Sequence, residues 1–162
     1  MKKLLSFAAL ALLIVGCTAT PVQPPAEKWQ TLDTGAYSLE APQNWYYEDQ
    51  QGIDSKVGIF AVKGEKDRKA RFISDLGEYS NQLSQYDKTD MVSYETLDGK
   101  KAKIVVDRKD QLVAMYIASA KTIDLSGGRR LEFDLCIASD HLKNEEEVQL
   151  ALKILRTIKF KK

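Results

Sequence analysis

Residues 112–139, LVAMYIASAKTIDLSGGRRLEFDLCIAS, carry the pattern on which the fold class turns. In residues 112–123 apolar side chains occupy both alternating sets of positions, the pattern of a central strand covered on two faces. From Arg130 the alternation becomes clean. Leu131, Phe133, Leu135 and Ile137 fall on one side, and Glu132, Asp134 and Cys136 on the other, which predicts a strand with its first set turned inward. The Ser126-Gly127-Gly128 stretch between them turns the chain, so the two strands are antiparallel neighbours.

The same logic extends toward the N terminus. In YETLDGKKAKIVV, residues 94–106, Asp98-Gly99 separates two strand-like runs, predicted near 91–97 and 101–107. This dipeptide readily takes the positive φ angles of a two-residue hairpin turn. KVGIFAV, residues 56–62, is apolar on both sides and predicts a strand covered on both faces. YSLEAPQNW, residues 37–45, starts as a short strand through Tyr37 and Leu39 and stops at Pro42, which has no amide hydrogen to donate.

Two segments read as helices. Phe72, Leu76, Tyr79, Leu83 and Tyr86 recur at spacings of four, three, four and three, with Arg71, Asp75, Glu78 and Gln82 falling elsewhere. This predicts an amphipathic helix over 71–86, weakened at Gly77 by about 1 kcal/mol relative to Ala. Asn144 and Glu147 stand at capping-box spacing, and Val148, Ala151, Leu152, Leu155 and Ile158 form the apolar stripe of a helix over 144–158. Glu145, Glu146 and Glu147 sit at its positive end, Lys153 and Arg156 near its negative end. The predicted class is α+β: a central, mainly antiparallel sheet flanked by helices in an α/β/α sandwich.

The chain opens MKKLLSFAALALLIVGCTATP. Lys2 and Lys3 precede an apolar run from Leu4 to Val15, which suits the core of a signal peptide and is shorter than the ~20 residues of a spanning helix. Its end, Ile14-Val15-Gly16-Cys17, resembles the lipobox of bacterial lipoproteins. That resemblance implies that residues 1–16 are a signal peptide and that Cys17 is the lipidated N terminus of the mature protein. Thr18 stands where lipoproteins kept at the inner membrane often have Asp, so the implied address is the outer membrane, facing the periplasm. Two or three acyl chains at about 0.8 kcal/mol per methylene hold such an anchor stably. Residues 17–28 include Pro21, Pro24 and Pro25 and read as an extended tether rising about 3.1 Å per residue, followed by one domain over 29–162.

Without Lys2 and Lys3 the 24 basic residues fall just below the 23 acidic ones. A nearly neutral chain has no global attraction for nucleic acid or for an anionic membrane surface. The membrane contact expected is the lipid alone.

The order of short strand with APQNW, hairpin with TLDGKKAKIVV and closing ILRTIKF resembles the PsbP-like superfamily and the related DcrB-like bacterial lipoproteins, over residues 36–160. Pro42 and Trp45 match the first motif, Gly99 and Ala102 the second. The resemblance implies a single domain with a central antiparallel sheet between helices. It carries over no catalytic motif, because fold alone does not fix function.

The chemistry-bearing residues point the same way. Ser139-Asp140-His141 holds the residue types of a hydrolytic triad, but a triad is defined by convergence on one reacting atom, which sequence neighbours do not provide. His141 is the only histidine, so no conventional transition-metal ligand set is expected. Three consecutive helical glutamates point in different directions and suit a capped first turn better than a calcium site. Gly127-Gly128 fits a turn rather than a phosphate cradle. The acidic neighbours of Cys136 disfavour a thiolate. No catalytic residue, cofactor or metal is therefore expected. Trp45, Tyr46 and Tyr47 either line a ligand or partner surface or seal the sheet against a helix.

The function expected is that of a membrane-anchored envelope lipoprotein with a non-enzymatic role, binding or stabilising an envelope protein. Two alternatives stand beside it. One is a periplasmic carrier or sensor of a small apolar ligand, which calls for a cavity under the aromatic cluster. The other is a hydrolase whose site the sequence does not identify.

Overall fold

Alternating burial along nearly every segment draws the chain into strands. The computed structural model describes residues 27–50, 52–64, 72–139 and 141–161. The signal peptide, Cys17 and the tether through residue 26 lie outside the described residues, as do Arg71 and Asp140. The elements in order are β1 (Trp29–Asp33), β2 (Tyr37–Pro42), β3 (Trp45–Gln50), β4 (Ser55–Val62), β5 (Phe72–Gly77), a 3-10 turn (Ser84–Tyr86), β6 (Val92–Leu97), β7 (Lys100–Asp107), β8 (Leu112–Asp124), β9 (Arg130–Ser139), α1 (Glu145–Leu155) and β10 (Lys159–Phe160).

The strands form two antiparallel sheets. The larger runs β3-β4-β5-β9-β8-β7-β6, and the smaller β1-β2-β10. Residues 112–139 deliver the expected hairpin at the middle of the large sheet, with Tyr116 opposite Cys136 and Ile117 opposite Leu135. Leu135 and Ile137 are fully buried, while Leu131 and Phe133 are only partly so. Asp98 and Gly99 take φ of 47° and 79° between β6 and β7, the conformation a two-residue hairpin requires.

One face of the large sheet meets the small sheet and α1 in a continuous core that includes Leu39, Phe60, Phe72, Ile104, Met115 and Leu155. The helix starts where expected. Asn144 Oδ1 accepts from the Glu147 amide at 2.9 Å, and the Glu147 carboxylate accepts from the Lys143 amide at 2.8 Å. Val148, Leu152, Ile154 and Leu155 face the core, each burial worth about 1.5–3 kcal/mol. The helix ends at Leu155, earlier than the stripe suggested, because Ile158 already belongs to the turn that brings β10 beside β2.

The α/β/α sandwich is overturned. Among the described residues there is one α-helix, and the structure is mostly strand. Residues 72–77, expected to open a helix over 71–86, pair with β4 and β9 instead. Phe72, Ser74 and Leu76 are buried while Ile73 is exposed, a period of two. Beyond Gly77 the chain leaves the sheet, Tyr79 is exposed, and Leu83 turns at φ 54°. This irregular stretch, with Leu83, Tyr86 and Met91, covers Val105, Ala114 and Cys136 on the second face. A loop therefore takes the place of the second helical layer. β4 is likewise covered less than its sequence suggests, since Val57 and Ile59 are half-exposed. Gly58 is fixed by its neighbour: a Cβ there would lie 2.7 Å from Cζ of the Tyr47 ring.

Candidate functional site

Two adjoining hollows, about 490 and 530 Å³, open where the edge of the small sheet passes the ends of β8 and β9. Both are lined by Gly35, Ala36 and Lys121. The larger-sheet wall owes its shape to a bulge. β8 pairs regularly with β9 as far as Ile117, then shifts register before Lys121, with Ser119 at φ 47°. A bulge of this kind re-aims the side chains that follow it. Ala120 turns into the core, while Lys121 and Ile123 line the cleft.

The cleft is apolar beneath and cationic around. Leu76, Ile123 and Phe133 form one wall, and Ile53 stands fully exposed at its lip, with Ile123 itself 38 % exposed. Lys56, Lys100, Lys121 and Lys161 border the two hollows against Asp54 and Asp98. Three of the lysines are committed. Lys56 donates to the Thr34 carbonyl and pairs with Asp49 at 3.5 Å. Lys100 donates to the Ser119 carbonyl at 2.8 Å and lies over the Phe160 ring. Lys161 reaches Asp33 at 2.6 Å, and this bond, with that from the Gly35 amide, holds the Asp33 carboxyl below its ordinary range. The Lys121 side chain makes no hydrogen bond or ion pair with another described residue and sits where the hollows join.

The aromatic triplet does not share one surface. Trp45 is buried and its ring centroid lies 5.5 Å from that of Phe72. Tyr47 projects to the same side, packs 4.9 Å from Phe60 and donates to Asp49; burial first, then that hydrogen bond, pushes its hydroxyl pKa up. Tyr46 points to the other face and is half-buried.

Ser139 and His141 are not assembled as nucleophile and base: the Ser139 hydroxyl is buried and makes no hydrogen bond, while His141 is exposed in a left-handed turn. Cys136 is buried, and burial, then the Asp75 carboxylate, pushes its thiol up to about 11. Among the described residues no group of three acidic, histidine or cysteine side chains is placed to hold a metal ion, and no helix is long and apolar enough to cross a membrane.

Sequence reasoning missed Lys121, Ile53 and Ile123 as site residues. The one local signal was the run Ala118-Ser119-Ala120, small residues where the alternation of β8 falters. No family model, curated protein or solved structure matches the chain.

Proposed function

We propose that this protein is a lipid-anchored component of a bacterial cell envelope, attached through Cys17, whose domain captures an envelope partner without catalysing a reaction. The lipobox-like Ile14-Val15-Gly16-Cys17 supports the anchor. The observation that carries the binding role is the cleft. Exposed Ile53 and Ile123 give the cleft an apolar lip, with Lys121, whose side chain pairs with no other described residue, at its margin. Contiguous exposed apolar surface with a charged rim is characteristic of interaction sites. The partner that fits is a protein segment with apolar side chains flanking an acidic group.

Photo-crosslinkers placed in intact cells at Ile53 and Ile123, with Tyr94 on the far edge strand β6 as an exposed control, test this reading. The expected result is one discrete adduct from both cleft positions, absent from Tyr94 and reduced by Lys121→Glu. Intact mass should show Cys17 as the acylated first residue, and Cys17→Ala should abolish the adduct by mislocalising the protein. Adducts of equal pattern from Tyr94, or none at the cleft, refute the binding surface. Unmodified residues upstream of Cys17 in the mature protein refute the anchor.

A further inference from the structure

β8 and β9 outrun their neighbours. β7 pairs with β8 only as far as Ile117, and β5 with β9 only as far as Asp134, while β8 and β9 go on together for four more pairs, from Lys121 and Phe133 to Asp124 and Arg130. The result is a two-stranded arm with no strand beside it among the described residues, exposed from Lys121 through Arg130. Its faces differ. Lys121, Ile123, Leu131 and Phe133 share one, and the other carries Thr122, Glu132 and the ion pair of Asp124 with Arg130 at 3.0 Å. An unsupported pair of strands is marginal in water, and an open strand edge is a template for a further strand.

The ladder of the arm identifies the groups left open. The Leu125 amide donates to the Arg129 carbonyl at 2.7 Å, and bonded pairs alternate along antiparallel strands. Lys121 and Ile123 therefore bond across to β9, and Thr122 and Asp124 turn their amides and carbonyls away from it. No described residue bonds to those backbone groups. On that side lies the hollow of about 530 Å³, lined by Ala120, Lys121 and Thr122 of β8, by Asp98 and Lys100 where β7 begins, and by Phe160. Since β7 is the neighbour of β8 on that side, the hollow stands where a strand in line with β7 would lie. The outward groups of the other edge belong to Arg130 and Glu132, which line neither hollow of the cleft.

We infer that the partner's segment enters this hollow as an extended strand and adds to the edge of β8 through the amides and carbonyls of Thr122 and Asp124. The inference rests on the binding role proposed for the cleft and specifies how the partner is held. In such strand addition the backbone hydrogen bonds give affinity and alternate side chains give selectivity. At about 3.3 Å per residue, the open edge takes a segment of about four residues. Every second side chain of that segment falls on the face of Ile123 and Phe133, which line the 490 Å³ hollow and favour apolar groups. Lys100, Lys121 and Lys161 border the 530 Å³ hollow against the single carboxylate of Asp98, so an acidic side chain in the segment is favoured. The added strand also turns a marginal ribbon into a three-stranded sheet.

The probe is the photo-adduct formed in intact cells at Ile53, a position outside the arm. Two prolines are compared at one rung, Thr122→Pro and Glu132→Pro, because these residues stand opposite each other. Each removes an amide hydrogen that faces away from the other strand of the arm, so the arm's own ladder is kept in both. Thr122→Pro should reduce the adduct at least about tenfold, through the lost hydrogen bond and the ring set into the edge, while Glu132→Pro leaves it within about twofold. Equal yields from the two variants, both kept or both lost, overturn the strand addition, as does a loss confined to Glu132→Pro. An adduct kept in both leaves the cleft reading standing. No adduct from the unsubstituted chain refutes that reading and the inference with it. Should Thr122→Pro not fold, hydrogen exchange decides: in the adduct isolated from cells, exchange over residues 121–124 should slow at least about tenfold relative to the free chain, and an unchanged rate overturns the inference.

Discussion

Cys136 shows how a single residue's chemistry is set by its neighbours across the sheet. Leu83, Val105 and Ala114 surround it, and Asp75 faces it in register on β5. Burial is the larger cause of its raised pKa and the Asp75 charge the smaller, and together they hold the thiol protonated to about pH 11. In an unfolded chain the same thiol titrates near 9. Below pH 9 both states keep the proton and Cys136 contributes no pH dependence. Above it the unfolded chain releases the proton and the folded chain does not, so stability falls as pH rises. Urea unfolding should show a loss on the order of 1 kcal/mol between pH 9 and 10, a slope that Cys136→Ala flattens. An unchanged slope in the variant counts against this account. The sequence placed Cys136 beside Glu132 and Asp134 and so identified the sign of the effect. It named the wrong acids, because Asp134 accepts from the Tyr116 hydroxyl and the Ser119 amide, and Glu132 from the Ser119 hydroxyl. The acid that acts on the thiol lies 61 positions away on another strand, out of reach of any local pattern.

Among the elements, the hairpin at Asp98-Gly99 was legible because its information is local: a dipeptide that tolerates positive φ between two alternating runs. Its second role was not. Asp98 also accepts from the Phe160 amide at 2.8 Å and from Lys159 Nζ at 3.3 Å, so the turn of the large sheet pins the last strand of the small one. Asp98→Asn keeps a residue that tolerates φ near 47° and an oxygen for the Phe160 amide, and should cost less than about 0.5 kcal/mol. Asp98→Gly keeps the turn and loses the bond, at about 1 kcal/mol. Asp98→Ala loses both, and denaturant unfolding should show about 2 kcal/mol. Equal losses for Gly and Ala would mean that the turn geometry is unimportant. β5 is the contrary case. Phe72 and Leu76 are four apart, and four is compatible with one face of a helix and with one face of a strand alike. What decides is contact with neighbours: Gly77 lies so close to Ser55 that a Cβ would sit 2.6 Å from the Ser55 Cβ. The glycine that weakens a helix is what lets β5 approach β4.

At the scale of the whole molecule, replacing a helix by β5 makes the large sheet seven strands wide and leaves its second face to a loop. Part of the cleft wall comes from β10, two residues long, which returns to the edge of β2 and brings Phe160 and Lys161 to the second hollow. That closure rests on few contacts, and they can be removed together. Ile158 is fully buried, the Phe160 ring lies 6.4 Å from that of Tyr37, and the Thr157 hydroxyl accepts from the Glu40 amide at 2.7 Å. The Lys161 amide adds a bond to the Ala36 carbonyl at 3.0 Å. Deleting residues 157–162 uncovers Tyr37 and strips β2 of one edge partner, leaving β1 as its only neighbour. An isolated two-stranded hairpin is marginal in water, so the small sheet should fail before the large one. Hydrogen exchange should then show loss of protection in β1 and β2, with β7, β8 and β9 still protected and overall stability lower by at least about 3 kcal/mol. Ile158→Ala, a milder lesion costing about 2–4 kcal/mol, should raise exchange in the same two strands. If β2 stays as protected as β8 in both proteins, the small sheet does not depend on β10, and the cleft wall at Gly35 and Ala36 must be held by β1 and the core alone.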